Sequence, residues 1–156
     1  PGCRIVNTVS CTYAIGRIEP DFFEKGRNGR FFRIPVYSNT KLALLLFTQE
    51  LAERLQNQGI TINASDPGIV STNMITMQAW FDPLTDILFR PFIKTPAQGA
   101  ATAIHLALSN EAKDKNGCCY ANCKKRNVSE RIRHHAQQKQ LWDDTEILLR
   151  QKGIRF

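Results

Sequence analysis

A tyrosine and a lysine four residues apart, Tyr37 and Lys41, form the strongest chemical signal in the sequence. Residues at this spacing lie on one face of a helix, one turn apart. An ammonium group close to a phenol favours the ionised phenolate, so Tyr37 is a candidate proton donor or acceptor near neutral pH. The pair alone is weak support for catalysis, because a surface lysine beside a half-buried tyrosine has the same spacing.

Two further candidate groups stand where predicted strands end. Ser10 closes the β-branched run that starts at Arg4, and Pro67-Gly68 follows the run that starts at Ile60. Ligands of parallel α/β sheets bind outside the carboxyl ends of the strands. We therefore expect Ser10, the start of the tyrosine helix and the 67–72 loop to line one crevice.

The apolar pattern predicts the elements that would position these groups. Strands alternate with helices, which indicates the α/β class, with parallel strands and right-handed crossovers. The expected architecture is a partial Rossmann-type, doubly wound parallel sheet of three strands with flanking helices. Strands are predicted at Ile5–Val9, Ile60–Ala64 and Gly117–Ala121, helices at Tyr37–Gln58, from Pro96 onward and over about Ser129–Lys152, and a loop over 16–35.

The first predicted strand has an unusual pattern for the edge of a sheet. Ile5 to Val9 is apolar without strict alternation, which predicts cover on both faces and a neighbouring strand on each side. A bare parallel edge of this kind promotes aggregation. The pattern therefore predicts that further chain belongs before Pro1.

Composition excludes several classes of protein. Hydrophobic residues make up 42% and charged residues 22% of the 156 residues, as in ordinary globular domains. The longest apolar run, Leu42 to Phe47, is far too short for a membrane span. No cationic, apolar leader opens the sequence, which favours a cytoplasmic or membrane-peripheral location.

The chain is basic, with 21 Lys and Arg against 14 Asp and Glu and a net charge of +7. These charges are spread along the chain, and no helix-turn-helix, RNA-binding or zinc-finger pattern accompanies them. We therefore expect solvated surface rather than a nucleic-acid interface.

Five cysteines complete the set of reactive residue types. Cys118, Cys119 and Cys123 lack the paired CxxC spacing of a zinc site, so no metal site is predicted and their role is open. Packed, reduced thiols are the expectation, and this includes Cys11, which follows Ser10.

These motifs together resemble the short-chain dehydrogenase/reductase family, and most closely its branch of retinol dehydrogenases and WW-domain oxidoreductases. The similarity spans nearly the whole chain, and its motifs come in family order. The matching segments are Arg4–Asn7, Ser10, Gly16–Ile18, Tyr37–Ala43, Leu46–Ala52, Pro67–Thr72, Gly117, Tyr120, Cys123 and Leu141-Trp142.

The resemblance implies a role for each matched residue in the catalytic centre. Tyr37 would be the general acid/base that exchanges a proton with the substrate oxygen. Lys41 would stabilise its phenolate and bind the nicotinamide ribose hydroxyls. Ser10 would hydrogen-bond the substrate oxygen.

The resemblance also implies a binding site for the nicotinamide ring of NAD or NADP. The backbone of Ile69 and the hydroxyl of Thr72 would meet the nicotinamide carboxamide. Pro67 and Gly68 would shape the turn that presents them. The cofactor would supply the hydride, and the protein the position and the proton.

The chain departs from the family at Cys11 and at Ser65-Asp66, to which no role is assigned, and more extensively by one missing region. The Gly-rich phosphate turn, the residues that choose NAD or NADP and the asparagine of the catalytic tetrad all precede the catalytic serine in the family, and none is found here. Residues 1–156 are therefore expected to be the C-terminal catalytic half of a dinucleotide-binding domain, with the cofactor-binding half absent from the chain.

Two functions remain open from the sequence. One is an NAD(P)-dependent oxidoreductase that interconverts a lipophilic alcohol and its aldehyde or ketone. The other is a truncated or degenerate family member without catalysis, acting as an interaction module or without an independent function.

Two segments of the sequence suggest what the protein binds. The apolar segment from Trp80 to Ile93 suits a lid over a lipophilic substrate, plain core packing or contact with a membrane surface. A homodimer through the Tyr37–Gln58 helix is also expected, because the resemblance implies the helix-to-helix pairing that is common in the family.

Overall fold

The computed structural model describes residues 2–20, 22–23, 33–70 and 93–154. The strands are β1 (Cys3–Thr8), β2 (Ile60–Asp66), β3 (Cys119–Ala121) and β4 (Lys124–Lys125). The α-helices are α1 (Arg33–Arg54), α2 (Pro96–Leu108), α3 (Glu130–Arg133) and α4 (Gln138–Gln151). Two 3-10 turns lie at Cys11–Ile15 and Asn110–Ala112.

The four strands form one sheet in the order β1-β2-β3-β4. The first three strands are parallel, with Thr8 opposite Ser65 and Ser65 opposite Tyr120. The α/β class and the mostly parallel sheet with flanking helices are thus confirmed.

The fourth strand, β4, was not expected from the sequence. It pairs antiparallel with β3 through a two-residue turn, in which Asn122 and Cys123 have φ values of 52° and 58°. Positive φ at both positions is the geometry of a tight hairpin turn that usually holds Asn-Gly. The cysteine in place of glycine hides this turn in the sequence.

The long helix α1 packs its leucines against the sheet. Leu42, Leu45 and Leu46 are fully buried and contact a core that includes Val9 and Leu141. Each such side chain contributes about 1.5–3 kcal/mol on burial. The core therefore holds α1 at a fixed place over β1 and β2.

The predicted bounds of α1, Tyr37–Gln58, were wrong at both ends. The helix begins at Arg33, because Pro35 fits the first turn of a helix, where no backbone N–H is needed. It ends at Arg54, and Asn57 and Gly59 both take positive φ in the turn that leads into β2.

The predicted start of α2 at Pro96 is confirmed. Thr95 and Gln98 form a reciprocal cap: Thr95 Oγ1 accepts from the Gln98 amide at 3.2 Å, and Gln98 Oε1 accepts from the Thr95 amide at 2.9 Å. This satisfies two donors at the start of the helix.

The C-terminal segment forms two helices rather than the single one predicted. The backbone leaves the helical region at His134, with φ −121° and ψ 52°, between α3 and α4. Trp142 of α4 stacks on Phe47 of α1, with ring centroids 5.4 Å apart, and the Arg54 guanidinium lies 4.5 Å from the Trp142 ring. An apolar groove of about 450 Å³ runs between these two helices.

The cysteines are less uniformly packed than the sequence suggested. Cys119 is buried and Cys118 and Cys123 are partly buried, but Cys3 and Cys11 are exposed.

None of the described helices is long and apolar enough to cross a membrane.

Candidate functional site

The candidate site lies at the carboxyl edge of the parallel strands. After β1 the chain stays attached to β2, because the Val9 amide donates to the Ser65 carbonyl at 2.9 Å. Ser10 and Pro67 therefore follow the two strands at the same edge of the sheet. This is the edge where ligands of parallel sheets bind.

Lys41 connects this edge to α1. Its Nζ donates to the Thr8 carbonyl at 3.0 Å and lies 5.5 Å from the centroid of the Tyr37 ring. Tyr37 is 41% exposed, so its phenol remains open to a ligand. The end of β1, the ammonium and the phenol are thus brought together.

The start of α1 is held at the edge by the segment that follows the first 3-10 turn. The Arg17 amide donates to Asn39 Oδ1 at 2.8 Å. Gly16 lies so close to the helix that a Cβ there would stand 2.5 Å from the Ser38 carbonyl oxygen. Only glycine permits this approach, which fixes the helix turn that carries Tyr37.

Ser10 lies two residues beyond the last residue of β1 and is partly buried. Its hydroxyl oxygen accepts from the Thr12 amide at 3.5 Å and caps the 3-10 turn Cys11–Ile15. At this distance the bond is weak, so the hydroxyl can reorient toward a ligand.

The Pro67-Gly68 turn follows β2. Gly68 has φ +77°, and its amide donates to Asp66 Oδ1 at 3.0 Å. Gly68 and Ile69 are exposed, and the Ile69 carbonyl accepts from the Lys94 amide at 2.8 Å. Thr72 and residues 80–92 of the apolar segment lie outside the described residues.

Two charged residues that the sequence analysis did not single out hold this turn. The carboxylate of Asp66, 1% exposed, also accepts from Arg126 Nη1 at 3.1 Å. Lys94 Nζ donates to the Pro67 carbonyl at 2.8 Å and to Asn122 Oδ1 at 2.6 Å.

Of these two residues, Asp66 has a recognisable local sequence pattern and Lys94 has none. Asp66 could have been found, because an aspartate that accepts from the amide two residues later is a common turn signature. Lys94 lies 26 residues from Gly68, and no local pattern marks it.

Behind the turn, two ionisable groups are kept neutral. Burial raises the pKa of Tyr13 to about 12 and that of the Cys119 thiol to about 11. Cys119 is therefore an inert core thiol rather than a nucleophile.

This arrangement suits proton exchange with a ligand oxygen at the rim of the sheet. An exposed phenol with an ammonium beside its ring, and a hydroxyl at the same edge of the sheet, are groups that general acid/base chemistry at a carbonyl or alcohol uses. The adjacent glycine turn offers backbone groups to a flat polar ligand.

Comparison with known proteins gives matches over most of the chain. The family model for short chain dehydrogenase matches residues 25–80. Retinol dehydrogenase 12 of Mus musculus is 38% identical over 153 residues, which cover 98% of this chain and 46% of the relative. The chain thus spans about half the length of the curated relatives it matches.

Solved structures share the fold. A crystal structure of an uncharacterised protein from Mycobacterium paratuberculosis has a TM-score of 0.66 at 23% identity, over 96% of this chain and 51% of its own. A blue fluorescent protein from a metagenomic library, solved with NADPH, has a TM-score of 0.53 at 28% identity, over 76% of this chain and 42% of its own. Together, the family model and the retinol dehydrogenase relatives show that the chain belongs to the short-chain dehydrogenase/reductase family.

Proposed function

We propose that the chain is the catalytic half of an NAD(P)-dependent oxidoreductase that interconverts a lipophilic alcohol and its aldehyde or ketone. The observation that carries this proposal is the position of Lys41. Its ammonium lies between the Thr8 carbonyl at the end of β1 and the exposed ring of Tyr37.

In this proposal Tyr37 exchanges the proton of the substrate oxygen. Lys41, held by the Thr8 carbonyl, places its positive charge beside the Tyr37 ring. Ser10 turns its hydroxyl from the weak bond with the Thr12 amide to the substrate oxygen. General acid/base catalysis of this kind contributes typically about 10²–10⁴-fold in rate.

The residues present fit the nicotinamide end of a dinucleotide. Lys41 can donate to ribose hydroxyls. The Gly68 amide and the Ile69 carbonyl are already bonded within the protein, so the Gly68 carbonyl and the Ile69 amide are the backbone groups proposed to pair with the carboxamide, together with the hydroxyl of Thr72. When bound, the nicotinamide supplies or accepts the hydride. The relative solved with NADPH supports a cofactor of this class, and the choice of NAD or NADP stays open.

The substrate class is supported by the relatives and by composition. The relatives are named for retinol, a long apolar alcohol. The sequence between Trp80 and Ile93 is rich in large apolar residues that could contact such a substrate.

We further propose that residues 1–156 correspond to the C-terminal half of the family's domain. The chain matches less than half of its retinol dehydrogenase relatives, and β1 pairs with β2 alone among the described strands. The free side of β1 would then pair with a strand of the other half.

A homodimer through α1, the helix expected at Tyr37–Gln58, remains part of the proposal. The partly exposed Phe47 and the groove between α1 and α4 give this helix an apolar outer side. Sedimentation of the purified protein at several concentrations tests for the dimer.

The second candidate is a truncated or degenerate family member without catalysis, which acts as an interaction module or has no independent function. Titration of NADPH and NADH, followed by fluorescence, distinguishes the two. We expect binding by the protein purified from its whole coding sequence, and none or very weak binding by residues 1–156 alone. A lack of binding by the whole protein would support the second candidate.

Substitution of Tyr37 tests the catalytic role. Tyr37→Phe keeps the ring but removes the hydroxyl, so we expect kcat for reduction of retinaldehyde or nonanal to fall by about 100-fold or more. Tyr120→Phe, the same change in the core beside α2, should leave kcat within about two-fold of wild type. Retention of most of kcat by Tyr37→Phe would contradict the assigned role.

A further inference from the structure

Lys94 is tied to the Pro67-Gly68 turn through both its side chain and its backbone. Its Nζ donates to the Pro67 carbonyl at 2.8 Å, and its backbone amide donates to the Ile69 carbonyl at 2.8 Å. The same residue forms a parallel β-bridge with Val70. The side chain passes so close to Gly68 that a Cβ there would stand 3.0 Å from Nζ.

The ammonium group also joins the turn to a second rigid element. Nζ donates to Asn122 Oδ1 at 2.6 Å, and Asn122 lies in the tight turn between β3 and β4. That hairpin is closed by the bond from the Arg126 amide to the Cys119 carbonyl at 2.8 Å. Lys94 therefore links the exposed Pro67-Gly68 turn to the β3–β4 hairpin at the end of the sheet.

The turn is held from its other side by Asp66. The buried carboxylate accepts from the Gly68 amide and is itself paired with Arg126. A glycine turn without such contacts samples many conformations, and a ligand that uses its backbone must first order it. With the anion and the cation in place, the turn is ordered before a ligand arrives.

We infer that Lys94 is a positioning residue, which fixes the backbone of the Pro67-Gly68 turn for the nicotinamide half of the cofactor. This inference rests on the proposed function. It adds a residue whose side chain need not touch the cofactor and whose effect should appear in cofactor affinity.

Replacement of Lys94 by methionine tests the inference in the protein purified from its whole coding sequence. Lys94→Met keeps the length of the side chain but removes the ammonium, and Lys113→Met is the matched control at an exposed lysine. We expect the Kd and KM for NADPH to rise by about ten-fold, the loss of one charged hydrogen bond. The kcat and the KM for the aldehyde should stay within about two-fold, as should every value for the control.

Conservative variants separate positioning from general stability. Lys94→Arg keeps the charge and the donors, and should restore NADPH affinity to within about three-fold of wild type. Asn122→Gly removes the acceptor at a position of positive φ that glycine tolerates, and should weaken NADPH binding in part. An equal loss in kcat and in both KM values, or no rescue by arginine, would overturn the inference.

Hydrogen–deuterium exchange measures the turn without any cofactor. In Lys94→Met, a peptide that spans the Gly68 amide should exchange faster than in wild type, and the Lys113→Met control should not differ. Unchanged exchange, or faster exchange with unchanged NADPH affinity, would overturn the inference. Failure of the proposed function would appear instead as a lack of NADPH binding in the wild type, and the cofactor role of the turn would fall with it.

Discussion

At the scale of single residues, the candidate edge depends on one buried anion. Asp66 is 1% exposed, and its two oxygens accept from the Gly68 amide and from Arg126. Its guanidinium partner is about half exposed, so loss of the carboxylate would leave a charge that water can still reach. The cost of removing Asp66 therefore comes mainly from the lost hydrogen bonds and the unsatisfied turn amide.

Asp66→Ala should lower the free energy of unfolding by about 2 kcal/mol, since two bonds to a charged group are lost in the core. Asp143→Ala is the matched control, because Asp143 is an exposed carboxylate 3.6 Å from Arg54. The control should change stability by less than about 0.5 kcal/mol. Urea denaturation measures both, and equal effects would contradict the role of Asp66 in the turn.

The contacts of the candidate site could not all be predicted equally well from the sequence. Tyr37 and Lys41 could be predicted to meet, because a four-residue spacing on a helix is set locally. The contact of Lys41 with the Thr8 carbonyl needed the packing of α1 on β1. Lys94 and Asn122 come from distant parts of the chain, and their contact depends on a hairpin that the sequence hides.

At the scale of the elements, the close contact between Gly16 and α1 fixes the position of the first turns of that helix on the sheet. Gly16 has an ordinary φ of −66°, so its place is explained by space rather than by backbone conformation. A Cβ there would meet the Ser38 carbonyl oxygen at 2.5 Å and Leu42 Cβ at 2.8 Å. The Ser38 backbone and the buried Leu42 side chain could move away only at a cost in stability.

Gly16→Ala should therefore destabilise the protein by about 1–3 kcal/mol, the usual cost of overpacking, and move the helix turn that carries Tyr37. Gly59→Ala is the contrasting variant: it has open space but φ +69°, and should cost about 1 kcal/mol through backbone strain alone. Urea denaturation gives the two costs. Enzyme assays should show a loss of kcat for Gly16→Ala only.

The elements also show what the sequence can and cannot specify. The leucine spacing predicted the interior of α1, and Thr95-Pro96 predicted the start of α2, because both signals are local. The ends of α1 were wrong for opposite reasons. Pro35 was assigned to the loop but lies in the first turn of the helix, and Asn57 was assigned to the helix but takes positive φ beyond its end. The strand β4 has two lysines and no apolar pattern at all.

At the scale of the whole molecule, the centre of the fold contains two weak acids. Tyr13 follows β1 and Cys119 begins β3, and both are buried beside Asp66 and Arg126, whose charges act on them in opposite directions. Burial is the largest cause of both pKa shifts. Both groups must therefore stay protonated for the core to remain intact.

This requirement predicts a loss of stability at alkaline pH. The pKa of Cys119 rises from 9.0 to about 11 on folding, and that of Tyr13 from 10.0 to about 12. Above pH 9 the unfolded chain releases these protons first, so it binds fewer protons than the folded chain, and stability falls as pH rises. The contribution is complete below pH 9 and is lost progressively up to about pH 11–12.

Urea denaturation between pH 7 and 10.5 measures this loss. Cys119→Ala should be less stable at pH 7, because it leaves a small cavity, but should show a flatter decline above pH 9 than wild type. Cys3→Ala, at an exposed thiol, should follow the wild-type curve. A decline in Cys119→Ala as steep as in wild type would show that other groups, rather than this buried thiol, set the alkaline limit of the fold.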